Sequence, residues 1–206
     1  AKLNISGGKL TVNANGDGLD SNGSINISGG ETYVSGPTND GNTAIDFGSE
    51  CVITGGTLIA AGSSGMVEAM SQNSTQPVMT VNASSNSGTI QLKDSSGNVI
   101  AEYTPDKTYA CVTISAPGLT VGQTYTVACG NTTEDITLES TVTSNVTATM
   151  GGGMMGGMGG QMGGGMQGGQ QQQMQDGQGQ NQMPDVQSGQ MGGSQRQMQA
   201  PSGDSS

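Results

Sequence analysis

The sequence contains no histidine and no tryptophan, and its aromatic residues are four tyrosines and one phenylalanine. Without histidine, the chain lacks the commonest general base at neutral pH and the commonest transition-metal ligand. Large side chains are few and glycines number 37, so any core must be narrow and built from small or β-branched residues. This composition argues against an enzyme and against a wide two-layer core.

Positive charge is also scarce. Lysine and arginine total 5 against 16 aspartates and glutamates, which gives a formal net charge of −11. A surface of that sign repels nucleic acid and anionic lipid, so cations are the expected partners. The chain has no run of about 18 apolar residues, and no membrane span is therefore predicted.

Three cysteines occur, at Cys51, Cys111 and Cys129. Residues 111–115 and 125–129 are predicted to form a hairpin, and in the register centred on its turn Cys111 and Cys129 face each other. A disulfide between them would imply an oxidising compartment. The alternative is two unpaired small apolar residues, because the register cannot be read from sequence. Cys51 falls on an inward column of the repeat described next and is expected to be a buried thiol.

A repeat of 22 to 26 residues organises the first third of the chain. A four-residue motif, Ile-Ser/Thr-Gly-Gly, occurs at residues 5–8, 27–30 and 53–56. Each copy lies between two runs of alternating apolar and polar residues. This pattern is typical of short parallel strands stacked in successive rungs, because each rung buries its apolar side only against its neighbours. The predicted inward columns are Leu3/Ile25/Cys51, Ile5/Ile27/Ile53, Leu10/Thr32/Leu58, Val12/Val34/Ala60 and Leu19/Ile45/Val67.

We therefore predict an all-β protein with a right-handed parallel β-helix of about three rungs over residues 1–76. From residue 77 the period disappears and hairpin signals replace it, which predicts a small antiparallel β cap domain over residues 77–147. Residues 148–206 form a Gly/Gln/Met-rich low-complexity tail, predicted to be disordered. Methionine thioethers are a ligand type that suits copper(I), but glycine spacers organise no fixed geometry, so flexibility is the preferred interpretation and copper binding the alternative.

Acidic and amide residues recur at the turns of the repeat. Aligning the rungs places Asp20, Asp46 and Glu68 in one column, where carboxylates about 4.8 Å apart repel unless a cation or a raised pKa relieves them. Oxygen ligands without histidine favour calcium over zinc. The alternative is that Asp-Gly and Asn-Gly steps simply form turns. The predicted calcium ligands are Asp17, Asp20, Asn22, Asp40, Asp46 and Glu68.

Sugar binding commonly uses exposed aromatic faces. Tyr33 falls on an outward column and Phe47 lies at a turn, so both are predicted carbohydrate contacts; for Tyr33 the alternative is ordinary packing between rungs. A polysaccharide lyase would need a strong base near the sugar. The repeat offers only Lys2 and Lys9 as cations, and the sole arginine, Arg196, lies in the tail. No enzyme is therefore expected.

Several motifs occur in an order that resembles a known family. They are residues 16–23, 29–30, 33–38, 53–59 and 62–66 in the repeat, and 92–98 and 122–127 in the cap. Together they resemble the bacterial, clostridial-type carbohydrate-binding domain family. The resemblance implies a right-handed parallel β-helix similar to polysaccharide lyases, calcium at Asp-rich turns, and binding of cellulose or pectin-like polymers. It also implies that this chain corresponds to the C-terminal half of longer members.

From these observations we expect a non-catalytic, secreted or cell-surface bacterial protein that binds calcium and a polysaccharide such as cellulose or polygalacturonate. The alternative is a structural subunit of an extracellular filament or matrix. In that case the uncovered rung at Leu3 stacks on a neighbouring molecule, which is self-association through an exposed strand edge.

Overall fold

The computed structural model describes residues 1–146, and every regular element in that part of the chain is a β-strand. The strands are β1 (Lys2–Asn13), β2 (Leu19–Ser21), β3 (Ser24–Ser35), β4 (Ile45–Phe47), β5 (Glu50–Gly62), β6 (Val78–Asn86), β7 (Ile90–Lys93), β8 (Val99–Tyr103), β9 (Tyr109–Ser115), β10 (Thr124–Cys129), β11 (Thr132–Thr137) and β12 (Val142–Ser144). No helix of residues 1–146 is long and apolar enough to cross a membrane. The predicted tail, residues 148–206, lies outside the described residues.

The first three long strands pair in parallel. Ile5 of β1 lies opposite Ile27 of β3, and Ile27 lies opposite Ile53 of β5. The columns headed by Leu3, Leu10 and Val12 pair in the same way, and Leu19 of β2 lies opposite Ile45 of β4. The predicted neighbours within these columns are thus confirmed, apart from Val67, which lies in a loop after β5.

Glycine pairs mark the bend in each long strand. Gly8, Gly30 and Gly56 have positive φ values of 78°, 82° and 89°, at the points where the register between neighbouring strands shifts. A side chain disfavours this backbone conformation. At Gly30 a Cβ atom would also lie 2.6 Å from the carbonyl carbon of Gly7 in the strand beside it. Stacked bends at this spacing therefore require glycine.

The predicted right-handed parallel β-helix was wrong. The main sheet has six strands in the order β1-β3-β5-β9-β6-β12, and β9 runs antiparallel to both β5 and β6. A second sheet, β11-β10-β7-β8, is antiparallel throughout, and β2-β4 is a separate pair. The protein is therefore all-β with mixed and antiparallel sheets, and residues 1–146 show no closed parallel coil.

The physical reason lies at the edge of β5. Once the 22-to-26-residue period ends, no further parallel rung is available, and β9 supplies the hydrogen bonds to residues 58–62 from the opposite direction. Because β6, β9 and β12 complete the same sheet as β1, β3 and β5, strands from both sides of residue 76 share one layer. The predicted domain boundary at residues 76 and 77 stays a prediction.

Two apolar clusters lie on opposite faces of the main sheet. Ile25, Ile27 and Ile53 belong to a cluster closed by β2 and β4, whereas Ile59 and Ile114 belong to one closed by the four-stranded sheet. Successive residues of β5 alternate between the two clusters, as the two-residue period of a strand requires. The main sheet is therefore buried on both faces near β5.

The predicted hairpin between residues 111–115 and 125–129 was also wrong. Strand β9 already has β5 and β6 as partners, so it offers no free edge to β10, which pairs with β7 and β11 instead. Cys111 and Cys129 are free and buried, as is Cys51, so the predicted disulfide is not formed in this structure. Burial raises the pKa of Cys111 to about 12 and that of Cys129 to about 11.

We expect substitutions at the glycine bends to separate backbone strain from steric overlap. Gly8→Ala adds only the positive-φ strain and should lower the unfolding free energy by about 1–2 kcal/mol. Gly30→Ala adds the overlap with the neighbouring strand and should cost more. Gly7→Ala has neither problem, since its Cβ would meet nothing within 4 Å, and should stay within about 0.5 kcal/mol of the parent.

Urea denaturation of the three proteins measures these differences. Equal costs at Gly7, Gly8 and Gly30 would contradict the stacked-bend interpretation.

Candidate functional site

Four carboxylates lie near one another along the short-strand side of the parallel rungs. Asp20 in β2 lies directly opposite Asp46 in β4, and neighbouring strands are about 4.8 Å apart. Asp17 precedes β2, and Glu68 lies in the loop that follows β5. We call Asp17, Asp20, Asp46 and Glu68 the acidic cluster. The pairing of β2 with β4 sets the positions of Asp20 and Asp46, and the adjoining loops bring Asp17 and Glu68 beside them.

Two members of the acidic cluster tie successive turns together. The backbone N–H of Thr43 donates to Asp17 Oδ1 at 2.8 Å, and the backbone N–H of Phe47 donates to Glu68 Oε2 at 3.4 Å. Each bond connects a carboxylate of one rung to the backbone of the adjacent rung. In each case the second carboxylate oxygen is left for another partner.

Mutual repulsion and partial burial both disfavour ionisation in the cluster. The pKa of Asp46 is raised from its ordinary 3.8, mainly by burial and then by the charges of Asp17 and Asp20. The pKa of Glu68 is raised from 4.5, again mainly by burial, with the charges of Asp46 and Asp17 adding to the shift. The hydrogen bond from Phe47 opposes the shift in both cases.

No basic side chain of residues 1–146 neutralises the acidic cluster. The ion pair in that part of the chain joins Lys9 to Glu31, on the long strands. A bound cation or proton would therefore relieve the repulsion, because either one removes negative charge from the cluster. The carboxylates do not converge on one point, since residues 1–146 contain no group of three or more acidic or thiol side chains arranged to hold a metal ion.

Two predicted calcium ligands are not brought into the acidic cluster. Asn22 follows β2, where its backbone packs beneath Gly48 of the next rung. Asp40 lies in the turn after β3 and lines a separate cavity with Ser64 and Thr108. Its charge is not among the causes of the raised pKa values of the cluster. As ligands, Asn22 and Asp40 stay predictions.

The predicted sugar-binding aromatics are both partly covered. The ring of Tyr33 stacks on Tyr103 of β8, with a centroid separation of 5.1 Å and an interplanar angle of 26°. Lys9 Nζ lies 5.2 Å from the Tyr33 centroid, and the Tyr33 hydroxyl donates to Glu31 at 3.3 Å. Phe47 is half-buried against the apolar cluster closed by β2 and β4. Neither ring is an open platform, and their contact with sugar stays a prediction.

The cavity that contains Asp40 was not identified from the sequence. It has a volume of about 280 Å³ and is bordered by hydroxyl side chains, including Thr38, Ser64, Ser85 and Thr108. These residues come from four separate segments of the chain, and no spacing pattern connects them. We call this cavity the polar pocket.

The chain matches no protein-family model, no curated protein and no solved structure. The resemblance to carbohydrate-binding domains therefore stays an expectation drawn from the motifs of the sequence. Assignment of a function depends on the acidic cluster and the surfaces around it.

We expect the stability of the metal-free protein to increase on mild acidification. Asp46 and Glu68 bind protons more tightly in the folded chain than in the unfolded chain. This contribution to stability is fully present below their ordinary pKa values, 3.8 and 4.5, and is lost as the pH rises through their raised values. The unfolding free energy in the presence of a chelator should therefore rise as the pH falls from 7 toward these ordinary values.

The matched variants are Asp46→Asn and Glu139→Gln, which each remove one negative charge; Glu139 is exposed and outside the acidic cluster. Asp46→Asn should flatten the pH profile and stabilise the protein at pH 7 by roughly 0.5 kcal/mol, after solvent screening. Glu139→Gln should leave the slope unchanged. A parent protein that loses stability over this interval would contradict the assigned repulsion.

Proposed function

We propose that this protein is a non-catalytic, extracellular carbohydrate-binding protein whose acidic cluster binds calcium at a cellulose-like or pectin-like polysaccharide. The observation that carries the proposal is the set of neighbouring carboxylates at Asp17, Asp20, Asp46 and Glu68. The pKa values of Asp46 and Glu68 are raised by burial and then by the charges of their acidic neighbours. Calcium prefers oxygen ligands of this kind.

Calcium has a physical role at this surface because the protein is itself acidic. A polyuronate chain carries carboxylates and would be repelled by a protein of net charge −11. A calcium ion takes six to eight oxygen ligands, more than these spread carboxylates provide. The remaining positions are available to carboxylate and hydroxyl oxygens of the polymer and to water. When bound, calcium supplies charge neutralisation between the two acidic partners.

The thiols of residues 1–146 are not activated as nucleophiles, which supports a binding role. The sequence contains no histidine, and burial raises the pKa of the Cys51 thiol to about 12. Thiolates are the reactive form of cysteine, so this thiol is unreactive at neutral pH. The raised pKa of Asp46 and of Glu68 is explained by burial and by like charges, which also favour cation binding.

We expect calcium to raise the melting temperature by a few degrees, because a ligand that binds only the folded state stabilises it. Asp46→Asn should weaken calcium binding about tenfold and reduce the thermal shift in proportion. Glu139→Gln, with the same charge change outside the acidic cluster, should behave like the parent. Differential scanning fluorimetry and calorimetric titration with calcium chloride measure both effects.

The polysaccharide is tested by retention of the full chain on insoluble cellulose and on polygalacturonate, with calcium and with a chelator. Calcium-dependent retention on polygalacturonate that Asp46→Asn removes supports the proposal. If the whole protein stays in the unbound fraction with both polymers, with or without calcium, the proposal is refuted.

An open strand edge favours a second candidate, an extracellular filament or matrix subunit. Among the described residues β1 pairs with β3 alone, so one side of a 12-residue strand is left without a partner. Its half-buried Leu3, Leu10 and Val12 pack against the apolar cluster closed by β2 and β4. Such edges pair with other strands when they are not blocked.

The filament candidate predicts association that grows with protein concentration. Sedimentation velocity over a hundredfold concentration range, followed by electron microscopy, should detect oligomers. A protein that stays monomeric throughout would exclude this second function.

A further inference from the structure

The polar pocket lies where four segments of the chain meet. The turn after β3 contributes Thr38 and Asp40, the loop after β5 contributes Ser64, the bend in β6 contributes Ser85, and the loop before β9 contributes Thr108. Its volume of about 280 Å³ is near the lower end of the range for small-molecule sites. The pocket therefore accommodates a single small ring rather than several units of a polymer.

The chemistry of the pocket is that of a hydroxyl-rich ligand. Serine and threonine hydroxyls border it, and a hydroxyl can both donate and accept hydrogen bonds. The carboxylate of Asp40 accepts only, and among residues 1–146 it forms neither an ion pair nor a side-chain hydrogen bond. Adjacent hydroxyls of a ring present two donors to one carboxylate, and such charge-assisted hydrogen bonds are the strong ones.

Part of the pocket is held in place by neighbouring segments. Gly65 packs so closely on Asp40 that a Cβ atom would lie 2.6 Å from the Asp40 carbonyl oxygen. Ser63, beside Ser64, donates its hydroxyl to the Asn42 carbonyl at 2.6 Å. Tyr109 at the back is 2% exposed, and its hydroxyl donates to Gly88. These contacts fix the backbone on one side of the pocket, while the side chains of Thr38, Asp40, Ser85 and Thr108 are exposed at its rim.

The bend of β6 adds a backbone feature at the mouth. Ser84 and Ser85 have positive φ values of 52° and 55°. Within residues 1–146, they are the two residues other than glycine with this conformation. They lie where the pairing of β6 with β9 shifts between Asn82 and Asn86. The Asn82 side chain accepts the Ser84 backbone N–H at 2.8 Å, which holds this unfavourable conformation. The bend places Ser85 at the pocket.

Charge distinguishes among the possible ligands. A uronate would bring a second carboxylate toward Asp40, and no lysine or arginine borders the pocket to offset it. Calcium would find one carboxylate here, whereas it prefers several charged oxygens. A neutral ring meets neither difficulty. We propose that the polar pocket binds one neutral sugar ring, at a site separate from the acidic cluster and without calcium.

The test uses the full chain, labelled with nitrogen-15, titrated in chelator with the methyl glycosides of glucose, galactose and arabinose. At least one sugar should give saturable amide shifts at Asp40, Ser64, Ser85 and Thr108, with a dissociation constant on the order of 1 mM. Glycerol is the control for a nonspecific polyol effect. Saturation with none of the sugars overturns the proposal.

Matched variants test whether the sugar binds within the polar pocket. Asp40→Ala removes the charged acceptor and should weaken binding by more than about tenfold. Thr108→Leu narrows the pocket and should weaken it similarly, while Thr120→Leu changes another exposed loop threonine and should leave affinity unchanged. If either pocket variant binds as the parent does while its spectrum remains folded, the assignment is wrong.

Asp46→Asn separates this site from the proposed calcium site. Sugar binding in the pocket should persist in that variant even if calcium-dependent retention on polygalacturonate is lost or never observed. Tighter binding of galacturonate than of methyl galactoside would overturn the neutral-ring assignment. Calcium chloride alone producing the same amide shifts would likewise overturn it, because the pocket would then be a cation site.

Discussion

The parallel hydrogen-bond register of β1, β3 and β5 is the constraint on which the rest of the described structure depends. It places Ile5, Ile27 and Ile53 side by side, and the last two are almost completely buried. A slip of one residue would turn this column outward. The same stacking sets Asp20 opposite Asp46. Burial of apolar side chains thus keeps the carboxylates of Asp20 and Asp46 near each other despite their mutual repulsion.

Part of the fold could be predicted because its signals are local and repeated. Alternation along each strand and the 22-to-26-residue spacing together determine which residues of β1, β3 and β5 are neighbours. Strand direction beyond β5 could not be predicted in this way, because an alternating strand has the same pattern in parallel and antiparallel sheets. The pairing of Gly62 with Cys111 joins segments that are far apart in the sequence. The predicted β-helix failed at this pairing.

The candidate site was predictable to a similar extent. Asp20 and Asp46 were identified because they occupy one column of the repeat, and the structure pairs them. Asp40 was predicted with them because the Asn39-Asp40-Gly41 step echoes the earlier Asp-Gly motif, but it lies in the longer turn of the 26-residue repeat and borders another cavity. Tyr33 was predicted to point outward, but the sequence gives no sign that Tyr103 from β8 stacks on it. Contacts between distant segments could be predicted only where both segments belong to the repeat.

The position of β9 between β5 and β6 has a consequence for synthesis of the chain. Strands β1, β3 and β5 are the first three long strands of the chain, so each can pair with the one before it as soon as it leaves the ribosome. The free side of β5 must then wait until Ser115 has been made, since β9 is its partner. During that interval an apolar strand edge is open to other nascent chains. The order of translation therefore exposes the assembling sheet to intermolecular pairing before the protein is complete.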